Sequence, residues 1–465
     1  MLKAHQHSAT ESPASRVNVP AVIAVLLGVT TISLDISLTS TALPAIARSL
    51  EVAPATTIWI VNIYYLAVVA SLMPLAALGE IYGHRRILIL GLATFALGAL
   101  VSGLSNSLPT LIGGRALLGI GSATVSATTP ALVRAVYPPQ RLAHGLALYA
   151  LIAGVALSVG PPVTSAILAV ADWRWLYLPN AIVAIFVMVL TIKALPETER
   201  NVRRFDPVSA LLCSSTFACL LFAIAGAAHL GPRPVIVALV LWALTGAVLM
   251  ARERGHPAPI LGADLFRIPI FALSSATSMA AYSVQGLVFV SLPFLLQFRM
   301  GFTQIEAGLL IIPWPATLIV MTFISAPLTN RISPGLLCGL GLFLLSFGLV
   351  LLAMMPDDTS GAGICARLVL CGIGFGFFQS PNMIAIMQSA PASRSGSAGG
   401  VLALSRLLGQ SVGAALVAFC LANWHDQGIT FALWSGAALA FLAGSISALR
   451  LLPGVRNQSN PGLDL

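Results

Sequence analysis

Asp35 is the one charged residue between Val17 and Ala47, near the middle of the first long apolar run of the chain. A carboxylate at the centre of a bilayer-spanning helix costs about 2.5–3.5 kcal/mol on insertion scales, so it faces protein or water rather than lipid. On a helix, Gly28, Thr31, Asp35, Thr39 and Ala42 share one stripe, because steps of three and four return to the same face. That stripe is small and polar, whereas Val25, Leu26, Leu27, Ile32 and Leu34 cover much of the remainder. Two chemistries fit. The acid either pins its helix to a neighbour, or titrates by taking up a proton or a cation, the default role of an intramembrane acid. A second ionisable group, Arg115, falls about six residues inside the outer end of its apolar run, roughly 9 Å at helical rise. It either sits beside the carboxylate and tunes its hold on a proton, or snorkels to the surface.

The elements that must position these groups are membrane helices. Of 465 residues, 58% are hydrophobic and 8% charged, against about 25% charged in soluble domains. A span needs about 20 largely apolar residues. With that ruler fourteen helices are expected, starting near Val19, Thr57, Ile87, Thr110, Gly145, Trp175, Pro207, Pro234, Phe271, Glu306, Pro334, Gly363, Ala398 and Thr430. The N-terminus is polar to about Arg16 and the first apolar run exceeds a signal-peptide core, so no cleavable leader is expected. The net charge of +9 is spread over short loops and forms no nucleic-acid patch. With both termini inside, Arg48, Arg174, Arg233 and Arg299 fall outside, Arg115, Arg367 and Arg406 within helices, and the rest of the 24 basic residues inside. That bias predicts cytoplasmic N- and C-termini. The six cysteines lie singly in apolar runs without a CxxC pair, so neither a disulfide framework nor a metal site is expected.

A weak repeat links Arg115-Ala116-Leu117-Leu118-Gly119-Ile120-Gly121 with Arg367-Leu368-Val369-Leu370-Cys371-Gly372-Ile373-Gly374. The glycine pairs Gly145/Gly154 and Gly400/Gly409 share a spacing of nine. Chance similarity among Gly- and Leu-rich helices is the rival explanation. Read as a repeat, it divides the chain into a tail (1–18), a six-helix bundle (19–197), two inserted helices with their loops (198–266), a second six-helix bundle (267–452) and a tail (453–465). Transporters built from such repeats hold their site between the bundles at the midplane. Polar and aromatic mid-helix residues are the candidate substrate surface: Thr31, Thr39, Asn62, Tyr65, Gln285, Phe289, Trp314, Gln379 and Asn382. Ring faces suit a flat, lipophilic cation, although each residue singly also fits helix–helix packing.

The turn Leu78-Gly79-Glu80-Ile81-Tyr82-Gly83-His84-Arg85-Arg86 resembles the loop signature of the major facilitator superfamily, with Ala76, Glu80 and Ile81 departing from its Gly, Asp and Arg. The resemblance implies that Gly79, Glu80, Gly83, Arg85 and Arg86 form a charge lock that breaks and re-forms as the halves rock. The run from Arg115 to Gly121 resembles the fourth-helix motif, with Leu118 in place of Gln, and implies that Arg115 tunes the proton site. Gly154-Val155-Ala156-Leu157-Ser158-Val159-Gly160-Pro161-Pro162 resembles the antiporter motif, with Thr164 and Ser165 where two glycines are expected. It implies a gating role for Gly154, Gly160 and Pro161. Asp172-Trp173-Arg174-Trp175-Leu176-Tyr177-Leu178-Pro179-Asn180, Leu265-Phe266-Arg267, Gln304 to Pro313, and Ser405-Arg406-Leu407-Leu408-Gly409 are similar to the fourteen-helix drug:proton antiporter branch.

Over nearly the whole chain, the resemblance implies an all-α major-facilitator fold in a bacterial inner membrane. The implied activity is multidrug efflux contributing to antibiotic resistance, by a protein that is not an enzyme. It would export lipophilic, cationic small molecules in exchange for protons. It would act as a monomer without cofactor, driven by the proton gradient, with Asp35 neutralised from outside. The alternatives are a metabolite carrier on the same scaffold and a membrane-embedded enzyme. The latter needs a cluster such as HExxH, and Asp357-Asp358 is the lone adjacent acidic pair. The sequence also contains no GxxxxGK[ST], so ATP is not the expected energy source.

Overall fold

The computed structural model describes residues 18–137, 142–197, 206–226, 230–253, 263–329, 331–391, 395–424 and 427–452. All regular structure among them is helical, and fourteen helices are long and apolar enough to cross a membrane. The first six are α1 (Val19–Ser49), α2 (Pro54–Tyr82), α3 (His84–Gly103), α4 (Leu108–Val136), α5 (Leu142–Val170) and α6 (Leu178–Ala194). Next come α7 (Pro207–Gly226) and α8 (Pro232–Glu253). The last six are α9 (Pro269–Phe294), α10 (Gln304–Ser325), α11 (Pro334–Ala353), α12 (Gly361–Ser389), α13 (Ser395–Trp424) and α14 (Gly428–Leu449). The expected tails 1–18 and 453–465 lie outside the described residues, apart from Asn18.

Several helices begin a few residues before their apolar runs suggest, and proline explains three of them. Pro54, Pro232 and Pro269 each open a helix, where a missing N–H leaves no intrahelical bond unmade. Between α2 and α3 a single residue turns the chain. Gly83 has φ 96°, a conformation that costs other residues strain. A side chain at Gly79 would meet the ring of His84 at 2.6 Å.

The two sets of six helices pack alike. α1 lies against α4, α5 and α6, α2 against α4, and α3 against α4 and α6. Displaced by eight helices, α9 lies against α12, α13 and α14, α10 against α12, and α11 against α12 and α14. Within each set, glycines bring helix backbones close. A Cβ on Gly98 would meet Leu118 N at 2.6 Å, and one on Gly374 would meet Gly341 O at 2.6 Å. Hydrogen bonds join the two sets at the end where α1 runs into α2. There Arg48 donates to Gln297 (3.0 Å), Ser165 to the carbonyl of Gln304 (2.8 Å), and Gln304 to the carbonyl of Thr41 (3.4 Å).

The pair α7–α8 is peripheral. α7 lies against α2 and α13, one helix from each set, and α8 packs on α7. Small hydroxyls in this pair are expected to bond back to their own helix. Thr216 and Thr245 do so, at 2.7 Å to Leu212 O and Leu241 O, and also meet each other at 3.1 Å. Ser214 does not: its hydroxyl donates to the Ala70 carbonyl of α2 at 2.7 Å. The reason is Pro74, which has no N–H to offer the carbonyl four residues earlier. At the other end of α7, Asp206 accepts from the Val208 and Ser209 amides and the Ser209 hydroxyl, and pairs with Arg252 of α8 at 3.2 Å. The Ser209 hydroxyl, then Arg252, holds the Asp206 carboxyl well below the usual range.

Candidate functional site

Sequence alone leaves the place of Arg115 open, and the structure buries it. Its Nη1 donates to Asp35 Oδ2 at 2.6 Å, with both side chains 1% exposed. The helices set this up. A Cβ on Gly119, one turn along α4, would meet Tyr64 O at 2.6 Å, so α2 and α4 touch backbone to backbone. The Arg115 guanidinium then lies over the ring of Tyr64 (4.4 Å) and near that of Tyr177 (5.8 Å), and its Nε faces the Ile60 carbonyl at 3.4 Å. Thr39, one turn from Asp35, donates to the Tyr177 hydroxyl at 3.3 Å. Asn180 of α6 stands next to the carboxylate. Asp35 Oδ1 and Asn180 Nδ2 are buried without hydrogen-bond partners. The pair thus carries no net charge and keeps one unoccupied carboxylate oxygen. A proton and the guanidinium compete for the same acid, which is the requirement for a titrating switch.

Other candidate residues separate into several groups. Phe289 and Trp314 join an aromatic wall shared by α9, α10 and α12. Trp314 is 6.1 Å from Phe289 and 6.2 Å from Phe375, which lies 5.4 Å from Phe378 and 5.6 Å from Tyr282. Trp314 Nε1, Asn62 Oδ1 and Gln379 Oε1 are buried without partners. Gln285 accepts from Gln410 of α13 at 3.0 Å. Tyr65 is buried and packs edge-on against Tyr64, 5.7 Å away. Thr31 bonds back to Leu27 O at 2.8 Å. Asn382 donates to Ser274 O (3.1 Å) and Ser278 Oγ (2.7 Å), so its amide ties α12 to α9. Tyr177 and Asn180 escape the sequence criteria because polar and aromatic side chains at span ends also serve as interface anchors, and Tyr64 because nothing in the sequence separates it from its neighbour Tyr65. Phe375 and Phe378 had a visible signal in Phe375-Gly376-Phe377-Phe378.

Among the gating candidates, Arg85 and Arg86 reach Glu197, beyond the end of α6, at 3.8 and 3.6 Å, and Arg85 caps the Ile192 carbonyl. These partners all belong to the first six helices, and Glu80 is exposed. Gly160 lies so close to Ser37 of α1 that a Cβ has no room, and the adjoining Pro161 carbonyl would be 2.8 Å from a Cβ on Gly308 of α10. Gly154 faces Ile319 of α10. α5 is therefore wedged between α1 of its own set and α10 of the other. Among the described residues no group of three or more His, Cys, Asp or Glu is arranged to hold a metal.

The profile described as Major Facilitator Superfamily matches residues 25–414. The chain belongs to the major facilitator superfamily. It is 40% identical over 434 residues to "Uncharacterized transporter YebQ" of Escherichia coli (strain K12), covering 93% of this chain and 95% of that one. It is 30% identical over 415 residues to "Multidrug resistance protein Stp" of Mycobacterium tuberculosis (strain CDC 1551 / Oshkosh), covering 88% and 77%. A crystal structure of the peptide transporter POT in complex with sulfate superposes with a TM-score of 0.73 at 14% identity, over 94% of this chain and 95% of that one. At that identity the likeness is one of fold. This major-facilitator chain is an integral, multi-pass membrane transporter, with fourteen apolar helices among the described residues.

Proposed function

We propose that the protein is a proton-coupled antiporter that exports flat, lipophilic small molecules across a bacterial inner membrane, with both termini cytoplasmic. The observation that carries the reading is the buried Asp35–Arg115 pair with its free carboxylate oxygen. In the proposed cycle a proton arriving from the outer side neutralises Asp35 and releases Arg115 to its tyrosines. The helices touching the pair (α1, α2, α4 and α6) then shift relative to the second set. Loss of the proton toward the cytoplasm restores the pair. The bundles 19–197 and 267–452 rock about the α5–α10 seam, while α7 and α8 stay outside the path. Phe289 keeps partial exposure and offers a ring face to an apolar substrate, backed by the buried Trp314, Phe375, Phe378 and Tyr282. The drug-resistance title of the relative Stp supports this substrate class. A cationic substrate would meet ring faces alone here, because the Asp35 charge is already engaged by Arg115.

The test is transport in proteoliposomes with an imposed pH gradient and a lipophilic fluorescent dye. Wild type should accumulate dye against its gradient and dissipate the pH difference as it does so. Asp35→Asn should bind dye and equilibrate it downhill, without uphill accumulation. Uphill transport at wild-type rate in Asp35→Asn refutes the role given to Asp35.

A further inference from the structure

Arg406 of α13 has no part in that cycle, yet it is enclosed by both sets of helices. Its ionisable neighbours are Tyr65 of α2, Tyr149 of α5 and Tyr282 of α9. α2 and α5 belong to the first set and α9 to the second, so the guanidinium faces the interior and not lipid. Tyr65 and Tyr282 are buried, at 4% and 7% exposure. Arg406 and Tyr149 keep partial exposure.

The stripe around Arg406 has the same character. Gly399, Leu402, Ala403, Arg406 and Gln410 recur at helical spacing and are all partly exposed. Gly409 and Gly413, on another side of α13, press against Met279, Tyr282 and Ser283 of α9. One turn beyond Arg406, Gln410 donates to Gln285 at 3.0 Å. Beside the stripe, Tyr282 meets Phe375 at 5.6 Å and Phe378 at 5.9 Å.

Charge bookkeeping then decides the sign. A guanidinium has five N–H donors and stays protonated, while phenol hydroxyls supply acceptors without negative charge. The ionisable groups around Arg406 are tyrosines, and the mid-membrane acid Asp35 is spent on Arg115. The centre of the described bundle therefore carries one enclosed positive charge that no carboxylate balances. An enclosed charge without a counter-charge is costly, and a planar anion offers a guanidinium two parallel charge-assisted hydrogen bonds.

We propose that Arg406 forms an anion subsite on the transport path, holding the carboxylate, sulfonate or phenolate of an otherwise flat aromatic substrate. The substrate's ring lies beside Tyr282 and toward Phe289, which stays partly exposed one turn beyond Gln285, and its polar edge meets the Gln285–Gln410 pair. This deepens the export reading, on which it rests for the existence of a small-molecule path. It reverses the charge expected of the substrate.

The test uses two xanthene dyes of similar shape and opposite charge, fluorescein and rhodamine 6G. They are titrated against the purified full chain in zwitterionic nanodiscs, so that lipid charge selects neither. Wild type should bind fluorescein at least tenfold more tightly than rhodamine 6G. Arg406→Gln should weaken fluorescein at least tenfold and leave rhodamine 6G within about twofold, whereas Arg406→Lys, which keeps the charge, should retain the preference. A wild-type protein without preference for the anionic dye overturns the proposal, as does undiminished fluorescein binding by Arg406→Gln. If Arg406→Gln does not fold, the wild-type preference decides by itself. Asp35→Asn, titrated in parallel and assayed for uphill transport in proteoliposomes, separates the two claims. Failure of the antiport reading shows as uphill transport in that variant, with the dye preference untouched.

Discussion

Neutralising Asp35 and Arg115 singly and together tests whether they form one unit. At 2.6 Å and an effective dielectric of 20, their attraction is about 6 kcal/mol. Desolvating two ions offsets much of that, so an intact buried pair contributes little net stability. Removing one partner is different, because the other charge stays buried with nothing to balance it, at about 3–5 kcal/mol. In Asp35→Asn the stranded guanidinium keeps the Ile60 carbonyl and two tyrosine faces, which places that variant toward the lower end. Arg115→Gln strands a carboxylate beside Asn180 and should be the worse. In Asp35→Asn/Arg115→Gln the two amides can bond each other, and most of the loss should return. Thermal unfolding in nanodiscs, read as a double-mutant cycle, should give a coupling of more than about 3 kcal/mol, because the singles sum to about 6–10 kcal/mol and most of that returns. All three variants should lack uphill transport. Additive losses, with the double variant as unstable as the sum of the singles, would show that the two charges do not act together.

Three further outcomes follow from named contacts. Gly160→Val puts a side chain into Ser37 of α1 and should lower stability by about 1–3 kcal/mol, measured by thermal unfolding, with transport lost. Replacing Arg85 and Arg86 by Ala removes the Glu197 pairs and the Ile192 cap. Turnover should slow while dye affinity, measured by anisotropy, stays near wild type once insertion has been verified. Asp206→Asn removes a charged cap of α7 at about 0.5–2 kcal/mol. Because the folded Asp206 carboxyl lies below its unfolded value, its contribution is full above about pH 4 and disappears as pH falls through the folded value. The stability gap between wild type and Asp206→Asn should therefore close on acidification.

The fourteen spans were legible because apolar runs of bilayer length advertise themselves whatever they pack against. Asp35 was legible for the complementary reason: a lone acid in such a run has few tolerable surroundings. Its partner was not. Asp35 and Arg115 are joined across 80 positions, and a residue six places inside a helix reaches the surface as readily as a neighbour until the neighbour's position is known. Asn382 shows the same limit from the other side. It is as polar and as central in sequence as Gln379, yet its amide nitrogen is taken by Ser274 and Ser278, and only Oδ1 is left without a partner. Ser214 looked like any small hydroxyl, and the carbonyl it serves was freed by a proline on another helix. What sequence conveys is the character of each helix; which groups are left wanting a partner depends on the faces that meet.

The three hydrogen bonds joining the two sets at the α1–α2 end, from Arg48, Ser165 and Gln304, also bear on how the protein divides its time between states. Each contributes about 0.5–1.5 kcal/mol net, so parting all three demands about 1.5–4.5 kcal/mol before any new contact forms. A gap of that size leaves a state with this end parted populated at about 0.05–7%, and exchange with such minor states is read on the microsecond-to-millisecond scale. A differential affinity of a few kcal/mol between the two states, from one proton or one substrate, is then enough to reverse which of them predominates.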